Sequence, residues 1–459
     1  MVPKSILHLF SRAGFGMPLT GLHQNRSLNQ SYEWLWQDAV DFTPLQVIGK
    51  DEKYTTPDFM NPKVGEVLSR QQLIKDLNFA WLNRMVSGKA VLREKMTLFW
   101  ANHFACRSGN PLFAQQLNNI IRKHALGNFK TLLLEVSKSP AMLQFLNNQQ
   151  NRKAHPNENF AREVMELFTL GHGNYTEKDV TEAARAFTGW TFNREGMFEF
   201  RERIHDDSTK EFLGKSGTFT GDDIIEILLK QKQTALFITG KFWKAFVSEK
   251  LDANRINLLA EKFYQSGFEI EVLLREVFLS EWFYSTTYYG ALIKSPIELM
   301  VPLIRDFKVE FANPNVAIGF QKLLGQVLFN PPNVAGWPGG RNWIDSSSLS
   351  FRMRMGRILL NDEIPDQLPK QEGDNNNAFD VQLIRPKQKN EANLMHCITH
   401  FKEVKDDQLF DALAQWMMAV PVSPALRSLF RPVSSINDRS VYIKEVLMYL
   451  TTLPEYQVG

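Results

Sequence analysis

The chain has 459 residues, of which 44% are hydrophobic and 22% charged, which is typical of a globular protein of two or three domains or one large one. The net charge of +3 and the lack of a long basic stretch argue against a duplex-DNA binder, so no nucleic-acid partner is expected. No run approaches roughly 18 apolar residues, so no transmembrane segment is predicted.

The N-terminal segment and the cysteines bear on the compartment. A short apolar patch is broken by His8 and followed by Arg12, so this segment lacks the apolar region of a secretory signal. Cys106 and Cys397 are too few for a disulfide framework or a four-thiolate zinc site, and we expect free thiols in a reducing compartment. The sequence as given therefore predicts a cytoplasmic protein.

Helical periodicity dominates, and the fold class predicted is mostly α. Apolar residues recur at three- and four-residue spacing over residues 64–105 and again over 128–147, which predicts amphipathic helices there. Three further helix starts are indicated by a Ser or Thr with an acidic residue three positions later: Thr176 with Asp179, Thr220 with Asp223, and Ser295 with Glu298.

Two stretches break the helical pattern. Residues 190–204 alternate around Gly196 and predict a small β-hairpin of the kind that can form a pocket wall or lid. Residues 361–394 are rich in Pro, Asn, Lys and Gln and predict a linker or long surface loop. We therefore expect a main helical domain at 1–360 and a small C-terminal helical segment at 395–459.

The run from Asn157 to Gly171 concentrates charge in a short space. It predicts a helix capped by Asn157, with Glu158, Arg162 and Glu163 in one polar arc of roughly 140° at 100° per residue. A solvated face with an ion pair between Glu158 and Arg162 is the simpler interpretation. The other interpretation is a polar face that meets a second polar element across a cleft.

Three histidine and aspartate positions could complete such a site. His205 and Asp206 follow the hairpin and are residue types suited to a general base or a hard-metal site, although they are also good turn residues. His103 shares a helix face with apolar residues, where a hydrogen-bonded core histidine is the more common case.

Several strings together resemble the bacterial domain-of-unknown-function family 1800 (DUF 1800). They span about residues 5–355, and the linker and the tail are not part of the resemblance. The strings are His8–Gly16, Arg93–Trp100 with 102–105, Pro156–Gly171, 175–177 with 184–190, His205-Asp206, Lys294–Glu298, and Pro331–Gly340 with Trp343.

The resemblance implies a mostly helical fold and assigns no activity. Members of this family are often encoded beside a second uncharacterised family that resembles phosphatases and sulfatases and tends to be exported. The resemblance therefore implies a protein partner of that kind, and export together with it is an alternative to the cytoplasmic location.

Two functional hypotheses follow. The first is an enzyme or metal-binding protein of unknown reaction and substrate. Its site residues are the six already described, namely His103, Glu158, Arg162, Glu163, His205 and Asp206. In the metal version, a divalent ion would be held by His103, Glu163, His205 and Asp206.

The alternative is a non-catalytic accessory or assembly protein. Here the glutamate-rich helix is only a scaffold, and the loop at 330–348 docks the partner through an exposed patch around Trp337 and Trp343.

Overall fold

The computed structural model describes residues 2–22, 25–49, 64–193, 195–311, 313–361, 392–432 and 438–459. These ranges are mostly helical, as the sequence predicts. Their α-helices are, in chain order, α1 (Lys4–Ala13), α2 (Leu28–Val40), α3 (Val64–Val86), α4 (Val91–His103), α5 (Pro111–His124), α6 (Phe129–Ser137), α7 (Pro140–Phe145), α8 (Asn159–Glu163), α9 (Glu177–Ala186), α10 (Gly221–Leu229), α11 (Lys232–Phe246), α12 (Ala253–Gln265), α13 (Ile270–Phe278), α14 (Pro296–Asp306), α15 (Pro314–Leu324), α16 (Ser346–Asn361), α17 (Met395–Phe401), α18 (Asp406–Met417), α19 (Pro424–Leu429) and α20 (Arg439–Thr451).

The strands form two small antiparallel hairpins. Strands β1 (Trp190–Phe192) and β2 (Phe198–Phe200) pair in the region where a hairpin was predicted. Strands β3 (Lys210–Phe212) and β4 (Lys215–Gly217) form a second hairpin that was not predicted. Its turn places Leu213 at φ +45°, and a leucine there gives none of the Asn-Gly or Asp-Gly signal that marks such turns.

The helix starts follow local chemistry. All three predicted capping boxes are present, at the starts of α9, α10 and α14. The helix predicted over 128–147 is instead two helices, because Ser139 caps α7 and Pro140 cannot continue α6. The pattern over 64–105 is likewise divided between α3 and α4 by a turn with Gly88 and Ala90 at positive φ.

Buried side chains form two apolar cores. Helices α1, α2 and α4–α13 build the first core, and α3, α14–α18 and α20 build most of the second. The helices after residue 394 thus share a core with α3 and α14–α16. The predicted linker lies almost entirely outside the described residues, so the domain boundaries at 360 and 394 stay predictions.

Two further expectations, on membrane-spanning helices and on the cysteine thiols, can be compared with the described ranges. None of their helices combines the length and apolar character that crossing a bilayer requires. Cys106 and Cys397 are free thiols, and Cys397 is fully buried.

Candidate functional site

The run at Asn157–Gly171 is helical but not a regular α-helix. Helix α8 ends at Glu163, and a π-helical turn continues from Val164 to Thr169. The wider turn ends the 100° spacing on which the predicted polar arc rests, and Thr169 at the end of this turn is buried. Its hydroxyl donates to the carbonyl of Val164 at 2.6 Å.

Arg162 of this run has carboxylate partners close by. Arg162 donates two hydrogen bonds to Glu177 at 2.9 and 2.7 Å and a longer one to Glu158 at 3.4 Å. The ion pair between Glu158 and Arg162 is therefore present, on a partly exposed surface. Burial, with a contribution from Glu166, raises the pKa of Glu163 above its usual range.

His205 and Asp206 are hydrogen-bonded to residues outside the Asn157–Gly171 run. The ring of His205 is buried, and its Nδ1 lies 2.8 Å from the carbonyl of Thr188, to which it donates. Asp206 accepts a hydrogen bond from Arg185 at 2.8 Å and another from Ser208. Although burial acts in the opposite direction, these bonds hold the pKa of Asp206 well below its usual range.

His103 lies at the end of α4 in the wall of a cavity. Its Nε2 lies 3.2 Å from the carbonyl of Phe168, so this nitrogen carries the proton and donates. The Nδ1 atom is then free to accept from Lys241 Nζ at 3.3 Å. Burial first, and then the charge of Lys241, hold the pKa of His103 well below its usual range.

No hydrogen bond or ion pair between described residues joins His103, Glu163 and His205. Within the same ranges, no group of three or more His, Cys, Asp or Glu side chains is placed to hold a metal ion. The metal site predicted from His103, Glu163, His205 and Asp206 therefore gains no support. Of the six residues proposed from sequence, only His103 lines the cavity.

The cavity has a volume of about 350 Å³ and lies where the two apolar cores meet. Helices α1, α4, α11 and α14 form its walls, together with the segments 335–343, 416–419 and 456–459. Among the described residues, six cationic side chains reach the lining, namely Arg12, Lys95, Lys241, Lys244, Lys294 and Arg305. The carboxylates of Glu298 and Asp306 oppose them, which leaves a formal excess of four positive charges among these side chains.

Arg12 is one of these cations, and its side chain is buried. Its guanidinium donates to the backbone oxygens of Phe246 and Val247 at 3.2 and 3.3 Å, and to those of Tyr288 and Gly459 at 2.7 Å each. Burial lowers the pKa of Arg12 only to about 9, so it remains charged at neutral pH. The peptide carbonyls of Phe246, Val247 and Tyr288 satisfy N–H donors of Arg12 and carry no formal charge.

Lys95 and Glu298 form an ion pair across the cavity. The capping box of α14 holds Glu298 in place, because its carboxylate also accepts from the backbone N–H of Ser295 at 2.7 Å. Burial alone would raise the pKa of Glu298, but Lys95 and Ser295 outweigh it and the pKa is lowered. Glu298 is thus an ionised carboxylate that offsets the charge of Lys95.

Lys294 is partly buried and differs from the buried cations of the lining. Its Nζ lies 4.0 Å from the ring centroid of Tyr456, and no described residue accepts a hydrogen bond from it. Burial, reinforced by the charge of Arg352, lowers the pKa of Lys294 to about 7. A fraction of these amines is therefore neutral at pH 7.

The loop at 335–343 is fixed to α4 by Asn102. The side-chain oxygen of Asn102 accepts from the backbone N–H of Trp337 at 2.7 Å. Gly336 has φ +90°, and a Cβ atom there would lie 2.3 Å from the same oxygen, so this close approach requires glycine. Trp337 and Trp343 are only 5% and 6% exposed, contrary to the exposed patch on which the docking hypothesis relied.

Sequence reasoning missed most of this lining because it searched for acid–base and metal-ligand pairs. Arg12, Lys95, Lys294 and Glu298 each lie in a string that carries the family resemblance, as does His103. Four of the seven strings contribute to the cavity, namely those at 8–16, 93–105, 294–298 and 331–343. Lys241 lies in none of them, so no sequence signal marked it.

Comparison with known proteins gives a family without an assigned activity. A family model described as a protein of unknown function (DUF1800) matches residues 8–458, so the match extends through the linker and tail that the resemblance did not cover. No curated protein and no solved structure matches this chain.

Proposed function

This chain belongs to the DUF1800 family of proteins of unknown function, and we propose that it binds a small organic anion in the cationic cavity. The observation that carries the proposal is the excess of cationic side chains on the lining. Charges of one sign in a cavity with apolar walls focus the electric field and attract ligands of the opposite sign.

The environment strengthens this attraction. Arg12 is buried and Lys241 is partly buried, and burial lowers the pKa of Lys241 to about 8, which still leaves it mostly protonated at pH 7. The interaction between two charges increases as the surrounding dielectric constant falls. A bound anion would therefore relieve repulsion among cations that water screens poorly.

The apolar part of the lining favours an organic ligand over an inorganic ion. Phe15, Leu98, Phe99 and Leu303 lie on the wall beside the charged groups. A volume of about 350 Å³ also falls within the usual range of small-molecule sites. The ligand class that fits both features is a carboxylate or phosphate with an apolar body.

The hypotheses drawn from sequence remain separate proposals. A catalytic site that joins His103 with Glu163 and His205 is supported by the raised pKa of the Glu163 carboxyl. An accessory role with a protein partner is supported by the pairing of the neighbouring Glu158 and Glu177 with Arg162, as in a scaffold. Neither accounts for the charge of the cavity.

Isothermal titration of 2-hydroxy-4-methylpentanoate into the full chain tests the proposal. This probe joins a carboxylate to a branched apolar body. We expect saturable binding to the wild type and a two- to fivefold weaker affinity for Lys244→Gln, because removal of a partly screened charge costs about 0.4–1 kcal/mol.

Lys250→Gln is the matched control, since Lys250 is an exposed lysine that follows the same helix but lies outside the lining. It should bind the probe as the wild type does. No saturable binding to the wild type, or equal weakening by both substitutions, would contradict a cationic binding site in the cavity.

A further inference from the structure

The buried and partly buried cations of the cavity fall into two groups. The head groups of Arg12, Lys95, Lys241 and Arg305 are engaged: Arg12 with backbone oxygens, Lys95 with Glu298, Lys241 with His103 and Leu167, and Arg305 with Asp306. Lys294 is the exception among these cations of the described lining, because no described residue accepts a hydrogen bond from its amine, which lies over the Tyr456 ring. Its Nζ is therefore free to meet a ligand.

The surroundings of Lys294 favour an uncharged amine. Arg352 lies close by, as its guanidinium donates to the backbone carbonyl of Lys294 and to Gln457 at 3.1 Å. Glu298 acts in the opposite direction and outweighs the smaller effect of Lys95, so burial and Arg352 are what lower the pKa of Lys294. A desolvated lysine beside other cations is a recognised arrangement for a nucleophilic amine, because the neutral form has the lone pair that attacks a carbonyl.

We propose that Lys294 forms an imine with the carbonyl group of an oxo acid bound in the cavity. This inference rests on the proposed function, since the cationic lining would hold the carboxylate of the same molecule. The neutral amine attacks the carbonyl carbon, a C–N bond forms, and the carbonyl C–O bond breaks. Both amine protons leave with the carbonyl oxygen as one molecule of water, so no oxidant or reductant is consumed.

Partial deprotonation of the amine supports this step. With the pKa of Lys294 lowered to about 7, the amine has a nucleophilic fraction at neutral pH that an exposed lysine lacks. The imine should therefore form faster as the pH rises through about 7 and level off above it.

The test compares two ligands that differ only at the reacting carbon. The full chain is incubated with 4-methyl-2-oxopentanoate and sodium cyanoborohydride, which reduces an imine to a stable secondary amine. We expect one modification per chain, with a mass gain equal to the oxo acid less one oxygen atom, on the peptide that contains Lys294. The hydroxy acid 2-hydroxy-4-methylpentanoate should bind but give no modification.

Two variants distinguish the role of the Lys294 amine as a nucleophile from the role of its positive charge in binding. Lys294→Arg keeps a cation, so it should bind the hydroxy acid within about threefold of the wild type but lose the modification. Lys250→Arg should keep both properties, because Lys250 is an exposed lysine outside the lining. Since the modified peptide is mapped in the wild type, a variant that fails to fold leaves the main test intact.

The outcomes distinguish the two proposals. Binding of the hydroxy acid without trapping of the oxo acid would overturn the imine and leave the anion site standing. Trapping spread over surface lysines, or retained in Lys294→Arg, would also overturn it. Failure of the wild type to bind either acid would overturn the proposed function and this inference together.

Discussion

The Nζ atom of Lys241 lies 3.3 Å from the Nδ1 atom of His103 in the cavity wall. The same ammonium group donates to the carbonyl of Leu167 at 3.0 Å, next to the Phe168 carbonyl that His103 binds. Both carbonyls belong to the π-helical turn that ends the Asn157–Gly171 run. Lys241 on α11 thus links the Asn157–Gly171 run to the cavity beside it.

Loss of this link should destabilise the protein. Lys241→Met removes the donor to Leu167 and His103, and buried acceptors left without a partner cost about 1–3 kcal/mol. Chemical denaturation should show a decrease of that size in the free energy of unfolding. Lys244→Met, on the same helix but with an exposed side chain, should stay within about 0.5 kcal/mol of the wild type. Equal losses in both variants would argue against the link.

Stability should depend on pH through His103. Because its pKa in the folded chain is far below the ordinary 6.5, the unfolded chain binds one more proton at this site below pH 6.5. The contribution of the neutral ring is fully present above that pH and is lost as the pH falls, by about 1.4 kcal/mol per unit. Denaturation midpoints between pH 6.5 and 5 should therefore decline less steeply for His103→Gln than for the wild type. Identical slopes would show that His103 titrates normally.

The loop that Asn102 holds should not tolerate a side chain at Gly336. Gly336→Ala combines an unfavourable positive φ with a contact of 2.3 Å to the Asn102 oxygen, and we expect a loss of at least about 2 kcal/mol. Gly173→Ala is the control, since Gly173 also has positive φ but open space around it, and about 1 kcal/mol is expected. The comparison is made by denaturant titration. Similar losses would mean that the contact with Asn102 contributes little.

Two glutamates distinguish the cavity from the site proposed on sequence grounds. Glu298→Gln removes a negative charge from the lining and should strengthen binding of 2-hydroxy-4-methylpentanoate roughly threefold or more, measured by titration calorimetry. It should also lower stability by about 3 kcal/mol, because Lys95 loses its partner. Glu163→Gln should leave the affinity unchanged, as Glu163 is not on the lining. The opposite ranking would favour the site around Glu163.

Much of the fold follows from local sequence chemistry, and the differences have physical causes. Capping boxes such as Thr176 with Asp179 are complete within four residues, so they can be predicted without tertiary information. The π-helical turn after Glu163 could not be predicted in this way. The carbonyls that it leaves free are satisfied by Lys241 and His103, which are distant in sequence.

The site was harder to predict than the fold. His103 was selected because histidine has a recognised chemistry, whereas Arg12 and Lys294 were not, since single basic residues are common on any surface. Their significance comes from burial at the junction of two cores, which no spacing rule encodes. The strings that carry the family resemblance did contain both residues.

The most direct measurement of the central claim compares 2-hydroxy-4-methylpentanoate with its uncharged amide by calorimetric titration into the full chain. The two ligands match in size and shape, so their difference in affinity reports the interaction of the cavity with negative charge. We predict at least about tenfold tighter binding of the carboxylate, equivalent to ~1.4 kcal/mol, with the difference shrinking as salt is raised. Equal affinities for the acid and the amide would contradict an anion-binding cavity.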